Sequence, residues 1–224
     1  MQRTARQWRG GLVAALMGLM YAGGACAQTA GNWPTPPGAA LQPDFAGQRL
    51  SSDIRQTAHR ALALGDTQGL PFAIVDKKNA LLAVFDAAGR LVGQTPVLLG
   101  SAVGDTYFPE LNKRDLNQLL AHERTTPAGR FVAEPGRNLQ GEAVVWVDYG
   151  SAFAIHRLRP SPARERRAER LASATPDDNR ISLGCVVTPV AFYEQVVAPL
   201  LGQSRAVVYV LPDSAFSGDL FETF

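Results

Sequence analysis

The sequence predicts a mainly β domain with a few short helices and one helix ahead of the strands. From residue 72 onward, β-branched and aromatic residues recur with the period of two that is typical of strands. The turns between the first strands are short, which favours antiparallel neighbours. The sequence has no internal repeat and no phosphate-binding glycine loop, so the pattern indicates a meander and not a dinucleotide-binding unit.

The first 27 residues have the three-part layout of a secretory signal peptide. Arg3, Arg6 and Arg9 give a positively charged start. An apolar run from Leu12 to Ala22 follows, and Ala25-Cys26-Ala27 provides a small-residue cleavage site. The run is too short to span a bilayer comfortably, and no stop-transfer pattern follows. We therefore expect cleavage, export to the periplasm or cell envelope, and no transmembrane anchor; lipidation of Cys26 is the alternative.

Composition limits the classes of partner. The 22 basic and 20 acidic residues leave a net charge of +2, which is too balanced for a nucleic-acid surface. His59, His122 and His156 are too scattered along the sequence to bind zinc, so we expect neither a metal nor a cofactor. Once the signal is removed, Cys185 is the last remaining cysteine and no intramolecular disulfide is possible.

The segment 28–69 is interpreted as a proline-rich strap followed by a short helix. Ser52 or Asp53 would cap this helix, which runs to Leu64 and stops at Gly65. Its apolar stripe consists of Ile54, Ala58, Ala61 and Leu62. The main domain is expected over residues 70–213, followed by a tail over 214–224.

Within the main domain, alternation predicts seven strands: Phe72 to Asp76, Leu81 to Asp86, Leu91 to Leu99, Arg130 to Ala133, Ala143 to Tyr149, Ala152 to His156 and Ala206 to Leu211. Helices are expected from Lys113 to Ala121, within Ala163 to Ala172, and from Thr188-Pro189 to about Gly202. The long segment Gly100 to Glu123 is expected to be a surface loop or a lid.

Cys185 and His156 are the residues that suggest chemistry. A thiol attacks a carbonyl as the thiolate, so it needs a base and backbone donors for the oxyanion. His156 at a strand end could be the base, and the amides around Gly184 and Cys185 could be the donors. On this pattern alone, a lone cysteine acting as a small core hydrophobe remains open.

The chain resembles the L,D-transpeptidase catalytic-domain family of bacterial cell-wall enzymes. The motif residues that match are His156, then Ser182, Gly184, Cys185 and Val186. The approach to the motif matches as well, over Leu81 to Gly89, Thr95 to Gly100 and Thr126 to Phe131. The resemblance covers about Phe72 to Pro212 and implies an antiparallel β-sandwich or barrel.

The resemblance also implies a two-step reaction on peptidoglycan stem peptides. Cys185 would attack the bond between diaminopimelate and D-alanine and release D-alanine. His156 would activate the thiol, and Ser182 would support the histidine or the loop. The acyl group would then pass to an amine of a second stem, to another amine, or to water.

Three departures from the family pattern place the chain in a divergent branch. Leu183 stands where the family usually has a second histidine, and Val187 replaces an Arg or Asn. The segment from Arg157 to Ile181 is longer than usual. We expect Leu183 and Arg180 to contact the substrate; for Arg180, a structural salt bridge is the alternative.

Two other functions fit the same residues. The first is a hydrolase of the carboxypeptidase or endopeptidase type, which uses the same thioester with water as the acceptor. The second is a non-catalytic envelope module that binds peptidoglycan. Analysis of the products distinguishes the hydrolase from a transpeptidase. Loss of turnover when the thiol is removed distinguishes either enzyme from the binding module.

Overall fold

The computed structural model describes residues 41–214. The predicted signal peptide, most of the proline-rich strap and nearly all of the predicted tail lie outside these residues. Along residues 41–214, no helix combines the length and apolar character needed to cross a membrane.

Ten strands form over the described residues: β1 Phe72–Asp76, β2 Leu81–Phe85, β3 Leu91–Pro96, β4 Leu99–Gly100, β5 Gly129–Arg137, β6 Ala143–Asp148, β7 Phe153–Arg157, β8 Arg180–Ser182, β9 Val186–Thr188 and β10 Ala206–Val210. The helices are α1 Ser52–Ala63, α2 Arg167–Leu171, α3 Val190–Phe192 and α4 Ala198–Leu200, with a π-helical turn at Tyr193–Val197 between the last two. Short 3₁₀ turns lie at Leu111–Lys113, Leu116–Gln118, Ala121–Glu123, Ala163–Glu165 and Pro176–Asn179.

Eight of the strands form one curved sheet, in the order β3-β2-β1-β10-β5-β6-β7-β9. The predicted mainly β class is confirmed. The sheet is mixed, because β10 lies parallel to β1 and β9 lies parallel to β7, while the other neighbours are antiparallel. Leu98, just after β3, exchanges two backbone hydrogen bonds of 2.9 Å with Val187 in β9. The two ends of the sheet therefore nearly meet, as in a barrel.

The central strands β1 and β10 are buried on both faces. All five residues of each strand are buried, which is why both read as continuous apolar runs. One face packs against the C-terminal helical segment through Tyr193, Val197 and Leu201. The opposite face packs against α1, whose predicted stripe Ile54, Ala58, Ala61 and Leu62 is fully confirmed.

The cap of the N-terminal helix lies before both residues predicted for it. The Oγ of Ser51 accepts a hydrogen bond from the backbone N–H of Ile54, so Ser51 is the cap in place of Ser52 or Asp53. Capping by a hydroxyl satisfies a donor that the first turn leaves free. Gly65 follows the helix with a φ of +65°, as a stop signal should.

The prediction of a helix from Lys113 to Ala121 is wrong. This segment forms three separate 3₁₀ turns, because the Asp115 side chain accepts from the N–H of Asn117 and begins a new turn inside it. Leu119 is buried, whereas Leu120 is exposed. The segment therefore crosses the surface as an irregular loop.

The long insert after β7 is attached to the sheet by a small apolar cluster. Leu171, at the end of α2, packs with Leu98 and Val187, and Leu158 and Ile181 cover its edges. Leu98 and Val187 are fully buried. The helical character predicted in Ala163 to Ala172 is present as a 3₁₀ turn and the five-residue α2.

A buried lysine joins several loops below the candidate site. Lys77 Nζ donates to the Gly104 carbonyl at 2.7 Å, to Asp105 Oδ1 at 2.6 Å and to the Thr126 carbonyl at 2.8 Å. Asp213 lies 3.3 Å from the same ammonium group. The Lys77 side chain is completely buried, so its charge depends on these partners.

We expect Lys77→Met to lower the free energy of unfolding by about 3 kcal/mol, because it leaves buried carboxylate and carbonyl oxygens without their donor. Urea denaturation measures the change. The adjacent Lys78 is the matched control, since its side chain is 38% exposed and pairs only with Asp53 among the described residues. If Lys77→Met and Lys78→Met unfold at the same urea concentration, the buried network does not stabilise the fold.

Candidate active site

Cys185 lies in the short connection between β8 and β9, and Ser182 closes this connection. Ser182 Oγ donates to the Cys185 carbonyl at 2.7 Å and accepts from the Gly184 N–H at 3.1 Å. Ser182 is buried, so water competes little for these bonds. Ser182 was expected to support either the histidine or the loop, and these contacts favour support of the loop.

Gly184 has a backbone conformation and a close contact that exclude side chains. Its φ is +135°, and a Cβ at this position would come within 2.9 Å of the Thr125 carbonyl oxygen. Both constraints favour glycine. The loop that carries Cys185 therefore packs directly on the backbone at Thr125.

The Cys185 thiol faces the start of β7. Its Sγ lies 3.5 Å from the Ala152 carbonyl, a position from which the S–H can donate. Burial raises the pKa of the Cys185 thiol, and the backbone N–H of Ala154 and the charge of Arg159 oppose this only in part. The residue keeps some contact with solvent, but its sulfur is a protonated thiol at neutral pH.

His156 is the penultimate residue of β7, close to the predicted strand end. Its Nδ1 lies 2.8 Å from the Arg157 carbonyl. A carbonyl can only accept, so Nδ1 carries the proton and Nε2 keeps its lone pair. Burial lowers the pKa of His156 to about 4, and the positive charges of Arg159 and Arg167 add to this effect. His156 is therefore a neutral imidazole at pH 7.

The strand register brings His156 and Cys185 near each other without a bond between them. His156 is paired with Val187 in β9, and Cys185 lies two residues before Val187. Strand geometry then puts the two Cα atoms roughly 8 Å apart. Among the hydrogen bonds of residues 41–214, none joins the thiol to the imidazole.

A small pocket of about 30 Å³ lies beside the thiol. Its wall is mostly apolar, and about half of it comes from the irregular segment before β5. The lining residues are Thr106, Phe108, Leu111, Leu116, Leu119, Glu123, Thr125, Pro127, Ser151, Ala152, Phe153, Leu183, Gly184 and Cys185. The pocket is large enough for one or two water molecules.

One ionised group lines this pocket. Glu123 accepts two hydrogen bonds from the Arg114 guanidinium, at 2.6 and 3.1 Å, and a third from the Leu120 N–H. Arg114, followed by the Leu120 N–H, lowers the pKa of Glu123 to about 2. The carboxylate thus stays charged at any pH near neutrality.

The structure separates the two residues predicted to contact substrate. Leu183 lines the pocket, with about a third of its surface exposed. Arg180 is absent from the lining, because its guanidinium pairs with Asp213 and donates to the Lys77 carbonyl. These contacts favour the structural salt bridge that was the alternative for Arg180.

In the sequence, Thr126 was identified only as the start of the segment Thr126 to Phe131 that resembles the family. Its Oγ1 donates to the Gly184 carbonyl at 2.9 Å and accepts from the Gly100 N–H at 2.9 Å. One signal could have identified it: the turn needs Pro127 and Gly129 for its backbone angles, but nothing in a turn requires a hydroxyl at position 126.

Comparison with solved structures shows a distant similarity. No protein-family model and no curated protein matches the chain. A crystal structure of the helical cell shape determining protein Pgp2 from Campylobacter jejuni, in a mutant form, is similar with a TM-score of 0.40 and 15% sequence identity. The match covers 66% of this chain and 48% of that one, so the chain spans about half the length of its structural neighbour.

We expect the free energy of unfolding to fall as the pH is lowered from 6.5 to 4. In this range His156 takes up a proton in the unfolded chain, whereas in the folded protein, with a pKa of about 4, it stays largely neutral. The loss reaches about 3 kcal/mol at pH 4, and the full contribution is present above pH 6.5. Urea denaturation at several pH values measures it. His156→Gln should flatten the curve, and an unchanged slope in this variant would assign the effect elsewhere.

We also expect alkylation of Cys185 by iodoacetamide to be slow at pH 7 and to accelerate about tenfold per pH unit up to pH 9. Only the thiolate reacts, and burial raises the pKa of this thiol. Mass spectrometry of quenched samples gives the rates. A rate that is already constant below pH 7 would instead indicate a preformed thiolate–imidazolium pair.

Proposed function

We propose that the protein is an exported L,D-transpeptidase that acts on peptidoglycan stem peptides through a thioester on Cys185. One observation supports this above the others. A glycine-containing loop holds the Cys185 thiol at a pocket wall, beside the strand that carries His156 in the tautomer with a free Nε2 lone pair. The motif resemblance supplies the substrate class.

In the first half-reaction, the thiol proton passes to Nε2 of His156 as the sulfur attacks the carbonyl carbon of diaminopimelate. The tetrahedral intermediate carries a negative oxygen, which backbone N–H groups stabilise. Its collapse breaks the bond to D-alanine, and the leaving amine takes the proton back from His156. A thioester and free D-alanine result, with no net change in protons.

In the second half-reaction, an amine attacks the thioester carbonyl and gives its proton to His156. Cleavage of the carbon–sulfur bond releases the new amide, and His156 returns the proton to the sulfur. Water in place of the amine gives the hydrolase. Both reactions use the same residues of the protein and differ only in the acceptor.

A stem peptide requires the pocket to open. Peptide-sized ligands occupy several hundred Å³, whereas the pocket here has about 30 Å³. The irregular segment 101–125 supplies about half of the lining, so its displacement is the direct way to enlarge it. Opening would also return water to the thiol and so reduce the burial that raises the pKa of Cys185.

A second candidate function is the non-catalytic peptidoglycan-binding module. The protonated thiol and its hydrogen bond to the Ala152 carbonyl, in place of one to His156, favour it. A binding module needs no activated sulfur. The two functions predict opposite results when the thiol is removed.

We expect Cys185→Ala to abolish release of D-alanine from a purified tetrapeptide muropeptide, because the acyl group then has no nucleophile. His156→Gln should lower the rate at least about 100-fold through loss of the base. Enzyme-coupled detection of D-alanine measures both rates. Thermal unfolding should show Cys185→Ala folded near the wild-type temperature. Equal turnover by wild type and Cys185→Ala would contradict the proposal.

Product analysis of the wild-type reaction identifies the acyl acceptor and tests the binding-module alternative. With two stem peptides present, a cross-linked dimer indicates transpeptidation, and a tripeptide indicates hydrolysis. Carbapenems acylate members of the family that the chain resembles, so an adduct on Cys185 would support the nucleophile independently. Muropeptide binding without turnover or adduct would favour the non-catalytic module.

A further inference from the structure

Within the described part of the chain, the backbone N–H of Cys185 has no acceptor, although the loop around it is otherwise well bonded. The neighbouring Gly184 N–H already donates to Ser182 Oγ at 3.1 Å. For the Cys185 N–H, the hydrogen bonds of residues 41–214 include no acceptor. Of the two amides expected to stabilise an oxyanion, only that of Cys185 is therefore available in this conformation.

The direction of this N–H is set by the carbonyl of the same peptide group. In a trans peptide, C=O and N–H point in opposite directions. The Gly184 carbonyl points inward to Thr126, a fully buried residue. The Cys185 N–H consequently points away from Thr126, and the loop that carries it, Leu183 to Cys185, lines the pocket.

The polarity of the Thr126 hydroxyl is fixed. The Gly100 N–H can only donate, so Thr126 Oγ1 accepts from it at 2.9 Å. The single hydroxyl hydrogen is then available for the Gly184 carbonyl. Thr126 is itself held from behind, because Lys77 Nζ donates to its carbonyl at 2.8 Å.

Such an anchor is needed because the peptide group follows a glycine. Glycine adopts backbone angles that other residues avoid, so rotation of the 184–185 peptide has little steric resistance. A rotated peptide would turn the N–H inward and the carbonyl oxygen toward the pocket, where it would repel an oxyanion. The Thr126 bond opposes this rotation.

We propose that Thr126 is a positioning residue that aims the Cys185 N–H into the pocket as an oxyanion donor. The proposal builds on the proposed acyl transfer to Cys185, and it adds a residue outside the motif that carries the resemblance. Complete loss of one oxyanion donor typically costs about 10²–10³-fold in rate, and misdirection of a donor that is still present should cost less.

The test compares two reactions of the same thiol. Acylation by p-nitrophenyl acetate passes through an oxyanion, whereas alkylation by iodoacetamide does not. We expect Thr126→Val to slow acylation at least about tenfold and up to about 100-fold, while alkylation stays within about twofold. Thr126→Ser keeps the hydroxyl and should stay close to wild type in both reactions. On the muropeptide, Thr126→Val should lower kcat and leave KM nearly unchanged.

Thr57→Val is the matched control for loss of a buried hydroxyl. Thr57 is fully buried in α1, and its Oγ1 donates to the Asp53 carbonyl at 2.8 Å, far from Cys185 in the fold. It should change neither reaction. If Thr126→Val does not fold, Thr126→Ala replaces it; if neither folds, Thr126 serves folding and the positioning function is overturned.

The outcomes separate the two proposals. Equal slowing of acylation and alkylation, or wild-type acylation by Thr126→Val, overturns the positioning function, and turnover of muropeptide by wild type would still support the proposed activity. A selective loss of acylation, in a protein that releases no D-alanine, supports the positioning function and overturns the proposed substrate.

Discussion

The buried ammonium of Lys77 is the interaction on which the geometry below the pocket depends. It binds Asp105 in the irregular segment, the Thr126 carbonyl before β5, and Asp213 after β10. Arg180 in β8 joins the same group through Asp213 and the Lys77 carbonyl. Two cations and two carboxylates balance here, which is the condition for stable burial of charge. Four segments distant in sequence are held together by one side chain.

This network explains why the loop around Cys185 can be narrow and still well defined. The turn at Thr125 and Thr126 lies directly behind Gly184, and Lys77 fixes that turn from the other side. The loop therefore rests on bonded backbone and not on mobile side chains. Burial lowers the pKa of His156 and raises the pKa of Cys185, so both side chains are neutral near pH 7 and form no thiolate–imidazolium pair. In the proposed reaction, hydration of the opened pocket would oppose this effect of burial on the thiol.

Local patterns in the sequence predicted much of the fold. The α1 stripe, the β1–β2–β3 meander and the strand that carries His156 all follow from short-range periodicity and turn residues. The insertion of β10 between β1 and β5 could not be predicted in this way, because pairing between distant segments leaves no local signal. The helix predicted over Lys113 to Ala121 was wrong for a different reason: Asp115 caps a 3₁₀ turn in the middle of a sequence that otherwise has a helical pattern.

The candidate site shows the same division. The motif predicted that Cys185, Ser182, Gly184 and His156 lie close together, and the register of β7 with β9 is consistent with that prediction. Arg180 was assigned to the substrate from its position in sequence, but its partner Asp213 is 33 residues away. Thr126 and Lys77 were missed because each acts through backbone groups of other segments.

The cluster of Leu98, Leu171 and Val187 has a consequence for the changes that β9 and the insert tolerate. Val187 lies in β9, and Leu171 belongs to the long insert after β7. A polar side chain at 187 would be buried against Leu171 without a partner, and a shortened insert would leave Val187 and Leu98 uncovered. Position 187 and the insert are therefore coupled in their effect on stability. A polar residue at 187 and a shortened insert, made together, should cost less than the sum of the two separate changes.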